Sequence, residues 1–318
     1  MWRDQAALEY LEKIADMPEA SRSVYWEREA KNISVNASGE VKGDPSGLGG
    51  ISTKIEGMTG LIHRLGYWVL HWPFRRMGRK YASFGECKRL GHLVAKRRGW
   101  HFTKDMIRQT LSLALIREHF SFHDTDETSV VIGDGWGTMA SLLLLAFPER
   151  KVVLVNLNKP LLIDLLFVRN SVPNVHFAVV TNKEDVNAAL KDPNINVIAV
   201  QADNASLIAE VPIGLAINIL SMQEMTPPMI SEYFRLLRCS KGKRTAFYCS
   251  NKIWKRLYDG TEVWFHKYPW REEDEIVVDE LCKWSQLLYK KKPPFWYHRP
   301  YGRLRVWQRL TYLENVPH

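Results

Sequence analysis

The 318 residues predict an α/β chain built on a doubly wound, mostly parallel sheet. Three observations carry that expectation. From Thr128 onward, short apolar runs rich in β-branched residues alternate with helical stretches. One such run, Val130-Val131-Ile132, passes straight into three alternating glycines and then a helical stretch. The stretch 138–147 is apolar almost all round, as a helix is when one side packs on a sheet and the other is covered.

Taken in order, residues 1–32 read as one or two helices, with Leu8, Leu11, Ile14 and Ala15 at helical spacing. Residues 34–52 are rich in Gly, Ser, Asn and Asp and read as a loop. A basic, aromatic segment fills 61–98. The next stretch, 103–119, sets Ile107, Leu111, Ala114 and Leu115 on one helical face. The alternation then runs through 129–132, 138–147, 151–155, 161–170, 175–180, 197–200, 214–220, 229–238 and 245–249. Beyond about 253 the periodicity weakens, and a helical or mixed cap over the carboxyl edge of the sheet is expected. The division that follows is a helical, basic region at 1–120, an α/β core at 121–252 and an aromatic, basic cap at 253–318.

Composition narrows the class. With 46% hydrophobic and 25% charged residues, the chain is globular rather than disordered. The four cysteines (Cys87, Cys239, Cys249, Cys282) form no CxxC pair, which argues against a disulfide framework and a structural zinc. No spacing of His, Cys, Asp and Glu reads as a metal site. The first residues lack an apolar signal core, and no apolar run reaches the roughly 18 residues that span a bilayer. A cytoplasmic protein is expected. Nearly all the formal net charge of +9 sits between Phe74 and Arg98, where nine Lys or Arg face one acid, Glu86. Such a run is either a solvated helix face or the footprint of an anionic partner, including peripheral contact with a membrane through 61–98.

The strongest local signal is Gly133-Asp134-Gly135-Trp136-Gly137. Glycines let the backbone turn sharply and admit a ligand close to the peptide groups, and the helix that follows offers unpaired N–H groups. Gly135 to Ala140 also fits the GxGxxA of dinucleotide sites, but two residues late and with the bulky Trp136 where a pyrophosphate needs room. The alternating glycines suit the methionine end of S-adenosylmethionine better. A plain tight turn is the bland alternative. About twenty residues on, where an acid would accept from ribose hydroxyls, stands Asn156. Asp203-Asn204 ends a later strand and is a candidate for the adenine amino group, or a simple turn.

Further along come Asn218-Ile219-Leu220-Ser221-Met222-Gln223-Glu224-Met225, then Phe247-Tyr248-Cys249-Ser250-Asn251, then Tyr268-Pro269-Trp270. In that order, across roughly residues 100 to 300, these motifs resemble the sugar O-methyltransferase family of class I S-adenosylmethionine-dependent methyltransferases. The resemblance implies a Rossmann-like class I methyltransferase sheet, with a helical N-terminal extension and a C-terminal cap. It further implies S-adenosylmethionine as cofactor and a sugar hydroxyl as acceptor. Gly133, Gly135 and Gly137 then line the cofactor, and Ser221 to Met225 lie at the mouth of the fourth strand, beside the methyl group. Two positions depart from the pattern. Val131 replaces the acid that usually precedes the first glycine by two, and Asn156 replaces the ribose acid. Asp134 is expected to compensate by meeting the methionine amino group.

A sugar hydroxyl is a poor nucleophile and benefits from a base. Glu224 is the first candidate and His266 the second; helix capping, an ion pair or a bystander role are the plain alternatives. Gln223, Asn251, Tyr268 and Trp270 are the candidate acceptor contacts, the last two by stacking on a sugar ring, though core packing is an ordinary role for such aromatics. Trp136, Asn204 and Ser221 complete the expected cofactor lining. The acceptor is expected to be a sugar or glycan, phosphorylated, acidic or lipid-linked. Two other readings stay open: a non-catalytic scaffold of the same fold gripping an anionic polymer, and an RNA methyltransferase, although no RNA-binding module is legible.

Overall fold

The computed structural model describes residues 1–20, 33–42, 66–122, 127–289, 295–299, 302 and 304–315. The chain opens with a short strand β1 (Trp2–Arg3) and helix α1 (Asp4–Ile14), which buries Ala7, Leu8 and Leu11. Strands β2 (Ser34–Val35) and β3 (Val41–Lys42) form a hairpin inside the expected loop. The rest of that loop, residues 21–32 of the expected helical region and the start of the basic segment lie outside the described residues. A helical stretch at 66–70 leads into α2 (Trp72–Gly78), followed by α3 (Phe84–Arg97) and α4 (Lys104–His119). Thr103 starts α4 by accepting the Met106 N–H on its hydroxyl.

Next come β4 (Thr128–Ile132), α5 (Thr138–Ala146), β5 (Val152–Asn156), α6 (Asn158–Ser171), β6 (Phe177–Val180), α7 (Lys183–Lys191) and β7 (Val197–Gln201). A 3-10 stretch, Ala202–Glu210, leads to β8 (Ile213–Ile219), α8 (Pro227–Arg238) and β9 (Thr245–Lys252). Beyond 253 the chain is mostly strand. It forms the hairpin β10 (Trp254–Arg256) and β11 (Glu262–Trp264), then β12 (Glu275–Leu281), α9 (Lys283–Gln286), β13 (Leu287–Tyr289), β14 (Trp296–His298) and β15 (Val306–Leu313).

Among the described residues, nine strands make one sheet in the order β1-β6-β7-β5-β4-β8-β9-β15-β12. The six from β6 to β9 run parallel. β15 is antiparallel to β9, and β12 is antiparallel to β15. Parallel strands are covered on both faces, so every residue of β4, β5 and β7 is buried. Alternate side chains feed two cores. Val131 and Leu154 join one with α1 and α3 to α6; Val130, Ile132 and Val153 join the other with α7, α8 and Phe265. This is the expected Rossmann-like, mostly parallel α/β sheet. The segment after 253, expected as a helical or mixed cap, returns through β12 and β15 to widen the sheet by two strands, and its described helical content is one turn of 3-10 helix and α9. No helix among the described residues is long and apolar enough to cross a membrane.

Candidate active site

The strand order reverses between β4 and β8, since β5 lies on one side of β4 and β8 on the other. Connections leaving neighbouring strands in opposite directions open a crevice beyond their carboxyl ends, the usual ligand site of open α/β sheets. A cleft with about 390 Å³ free of protein atoms lies there, lined among others by Gly133, Asn156, Ala202, Ser221, Glu224 and Tyr233.

Gly133 lines it and opens a turn of three glycines with left-handed backbone: Gly133 at φ 70°, Gly135 at 81° and Gly137 at 55°. A Cβ on Gly133 would stand 2.0 Å from Ser221 Oγ and 2.6 Å from Ser221 Cβ, so the loops after β4 and β8 touch here as only a glycine permits. A Cβ on Gly137 would stand 2.5 Å from the Asp164 carbonyl oxygen, so this glycine lets α5 close on α6. At Gly135 a Cβ would meet open space.

Asp134 is engaged within the chain. Its carboxylate accepts the N–H groups of Thr138 (3.0 Å), Met139 (3.1 Å) and Ala140 (2.8 Å), all in the first turn of α5. A carboxylate is favoured at that positive end of the helix dipole, so the chain supplies its own anion where a ligand's would sit. Asn156 is likewise engaged. Its amide donates to Asp164 (2.8 Å) and its carbonyl accepts the Leu157 N–H (3.0 Å). Trp136 packs against Trp100 and Phe167 beside the turn.

Behind the floor lies a charged cluster that the sequence does not announce. Asp164, fully buried on α6, accepts the Gly137 N–H (2.8 Å) as well as the Asn156 amide. Arg98 reaches in from the end of α3 to Ser171 Oγ (2.6 Å), Gly137 O (3.1 Å) and the hydroxyls of Thr138 and Ser141 (3.1 Å each). Burial pushes the Asp164 carboxyl well above the usual range, and the neighbouring Asp134 charge adds to it. Burial lowers the Arg98 guanidinium to about 10 against the pull of both acids.

The loop after β8 is held by amides. Asn218 donates to Ile132 O (2.9 Å) and accepts from Met222 N (3.1 Å) and from the Asn251 amide (2.8 Å). Asn251 accepts the Gln223 N–H (3.1 Å), and the Gln223 side-chain carbonyl accepts the Lys252 N–H (2.9 Å). Gln223 and Asn251 are therefore buried supports of the loop rather than acceptor contacts. They present Ser221 and Glu224 to the cleft, where Glu224 is ion-paired with Lys255.

The other expected contacts fall elsewhere. Tyr268 is buried, and Trp270 packs on Phe234 and Phe247 while the Arg309 guanidinium stands 4.6 Å from its ring. The Trp270 indole N–H donates to Phe265 O (3.0 Å), and the buried Arg238 ties Pro269 O to Asp274. This aromatic corner joins α8 to β12, and neither ring is among the cleft-lining residues. His266 packs against Trp307 and is not among the cleft-lining residues. Its imidazole is held below its ordinary value, chiefly by burial.

At the opposite rim, Asp203 accepts the Ala20 N–H (2.9 Å), and the Asn204 amide lies 3.5 Å from Gln201. Glu19 sits beside them. Its carboxylate accepts the Asn158 N–H (2.9 Å) at the start of α6, and Asp203 and Tyr233 are its electrostatic neighbours. Burial, opposed by that hydrogen bond and assisted by Asp203, raises it to about 7. Glu19, Arg98 and Asp164 are the residues that sequence reading misses. Each comes from a helix or terminal segment remote from the glycine turn, and no local motif marks them.

No protein-family model matches the chain, and no curated protein matches it significantly. Among solved structures, a SAM-dependent methyltransferase from Anabaena variabilis is similar at 13% identity over 63% of this chain and 82% of that one, with a TM-score of 0.40. A candidate methyltransferase from Bacillus halodurans is 12% identical over 64% and 99%, at 0.36. The pyocyanin biosynthetic protein PhzM is 14% identical over 43% of this chain and about a third (34%) of its own length, at 0.29. Likeness at such identities concerns the fold alone. The fold itself rests on the strand order: a Rossmann-like α/β sheet with its cleft at the switch point.

Proposed function

We propose that the chain transfers a methyl group from S-adenosylmethionine to a hydroxyl of a sugar or glycan. The observation that carries this reading is the cleft at the switch point, floored by Gly133 against Ser221 and walled by the Glu224 carboxylate. The sugar acceptor rests on the ordered motifs between residues 100 and 300, and a phosphorylated, acidic or lipid-linked form suits the basic segment.

The charge around the cleft suits the cofactor. The bare backbone of Gly133 and Ser221 would receive the methionine end. Three carboxylates, Glu19, Asp203 and Glu224, lie in or around the cleft and complement a cationic sulfonium. When bound, the cofactor supplies an electrophilic methyl group for in-line attack by the acceptor oxygen. Positioning of the two reactants carries much of the acceleration. Glu224 holds the acceptor hydroxyl and takes its proton, with Lys255 fixing the carboxylate's orientation. Replacing Glu224 with Gln is expected to lower kcat by about 10²–10⁴-fold while S-adenosylmethionine affinity holds. Initial rates of labelled methyl transfer to a panel of sugars and nucleotide sugars read this out. An unchanged kcat removes Glu224 as the base.

Because Asn156 is uncharged and one amide hydrogen and one carbonyl lone pair are already engaged within the chain, the ribose acid must come from elsewhere. Glu19 takes that role from the N-terminal segment, anchored on Asn158. In the unliganded protein its raised value means that folding stability falls as pH climbs from 4.5, the unfolded value, towards about 7. Cofactor affinity should move the other way, rising as Glu19 ionises near 7. Glu19→Gln is expected to weaken binding by about tenfold and to flatten both pH dependences. Titration calorimetry and thermal melts across that window test it; an unaltered affinity profile would remove Glu19 from the site.

A further inference from the structure

We propose that the outer face of the helix spanning 66–79 docks the protein on an anionic phospholipid surface. The helical stretch at 66–70 and α2 run on through His71, whose N–H donates to Tyr67 O (2.9 Å) and whose carbonyl accepts from Arg75 N (2.9 Å). Tyr67, His71, Phe74 and Gly78 are buried, and their spacing of four, three and four marks the face turned to the core. The opposite face is not the charged surface that a water-exposed helix ordinarily presents. Trp68 is 66% exposed, Val69 45% and Trp72 52%, three large apolar side chains within about one turn.

Cations continue the same stripe. The Arg75 guanidinium stands 5.0 Å from the Trp68 ring and that of Arg76 5.9 Å from Trp72, with Arg79 and Lys80 following. None of Arg75, Arg76, Arg79 and Lys80 has an acidic partner among the described residues. Indoles next to unpaired guanidiniums match the boundary of a bilayer, where aromatic rings enter the acyl edge and cations meet lipid phosphates.

A second aromatic element flanks this helix. Trp296 on β14 donates its indole N–H to Leu70 O (2.8 Å), which brings Phe295 and Tyr297, both substantially exposed, alongside. The topology puts this element on the cleft side of the sheet. β12 runs in the same direction as β9, because both are antiparallel to β15, so Leu281 lies at the edge where the cleft opens. α9, β13 and β14 continue from there. The lipid surface and the cleft thus share one edge of the sheet. A single-stranded nucleic acid is the weaker match, because it calls for a cationic groove with stacking platforms, and here the indoles stand on a convex helix around a valine.

Flotation of the full chain with phosphatidylcholine vesicles, with and without phosphatidylglycerol, tests the proposal. Binding is expected only to the anionic vesicles, weakening with salt. Trp68→Ser/Trp72→Ser and Arg75→Glu/Arg76→Glu should each reduce it by about tenfold or more. Because Trp68, Trp72 and Arg76 are exposed and Arg75 is half-buried with no acidic partner among the described residues, both variants should keep a melting temperature close to the wild type's, and their cofactor titration should be unaltered, so this result stands apart from the catalytic reading. No flotation with either vesicle, equal binding by both double variants and wild type, or tight binding to single-stranded RNA without vesicle binding would overturn it.

Discussion

Gly133→Ala is expected to lose S-adenosylmethionine binding by on the order of 100-fold, because displacement of a site by about 1 Å already has effects of that size. The added methyl carbon would stand 2.0 Å from Ser221 Oγ and 2.6 Å from Ser221 Cβ. Rotating the Ser221 hydroxyl relieves the first contact, whereas the second needs the backbone after β8 to move. The left-handed backbone at φ 70° adds about 1–2 kcal/mol of strain for any residue with a Cβ. Two companions separate these effects. Gly135→Ala carries similar backbone strain, but its Cβ meets open space, so it should keep most of the affinity. Gly133→Ala/Ser221→Gly removes the clash and retains the strain, so it should recover much of the loss. Titration of the three variants decides the matter; equal losses for Gly133→Ala and Gly135→Ala would mean that strain, not the contact across the floor, controls the site.

Arg98→Met is expected to destabilise the fold by about 3–5 kcal/mol, as when one partner of a buried charged group is removed. The substitution strips donors from Gly137 O and three hydroxyls and removes the cation facing Asp134 and Asp164. The pH dependence gives the signature. Both carboxyls already stand above their ordinary value, so their contribution to stability is full below the unfolded value and is lost as pH rises through the folded one. Without Arg98 both rise further, and the variant should lose more stability at mildly alkaline than at mildly acidic pH. Denaturant unfolding at the two pH values measures this; a loss independent of pH would show that Arg98 acts through its hydrogen bonds alone.

The strands of the core are legible because parallel strands buried on both faces read as unbroken apolar runs, as in Val152-Val153-Leu154-Val155. α7 is harder to see: only Val186 and Ala189 are buried along its nine residues, so it shows a charged surface and little period. β12 is an edge strand with no fully buried residue, which hides it among the acids of its segment. The glycine turn announces the cleft, but not what surrounds it. Gln223, Asn251, Tyr268 and Trp270 look like ligand contacts because they are polar or aromatic and follow strand ends. The structure uses them to hold the loop after β8 and the corner behind α8. Conversely, Glu19 lies 139 positions from Asn158, and only the folding of the N-terminal segment onto α6 brings them together.

The cleft's identity turns on one titration of the purified chain by calorimetry, with S-adenosylmethionine and, separately, with NAD. The account predicts saturable binding of S-adenosylmethionine at one site, lost in Gly133→Ala, and no heat from NAD. Absence of S-adenosylmethionine binding would contradict it. The internal engagement of Asp134 and Asn156 would then mark a closed cofactor site in a scaffold of the same fold.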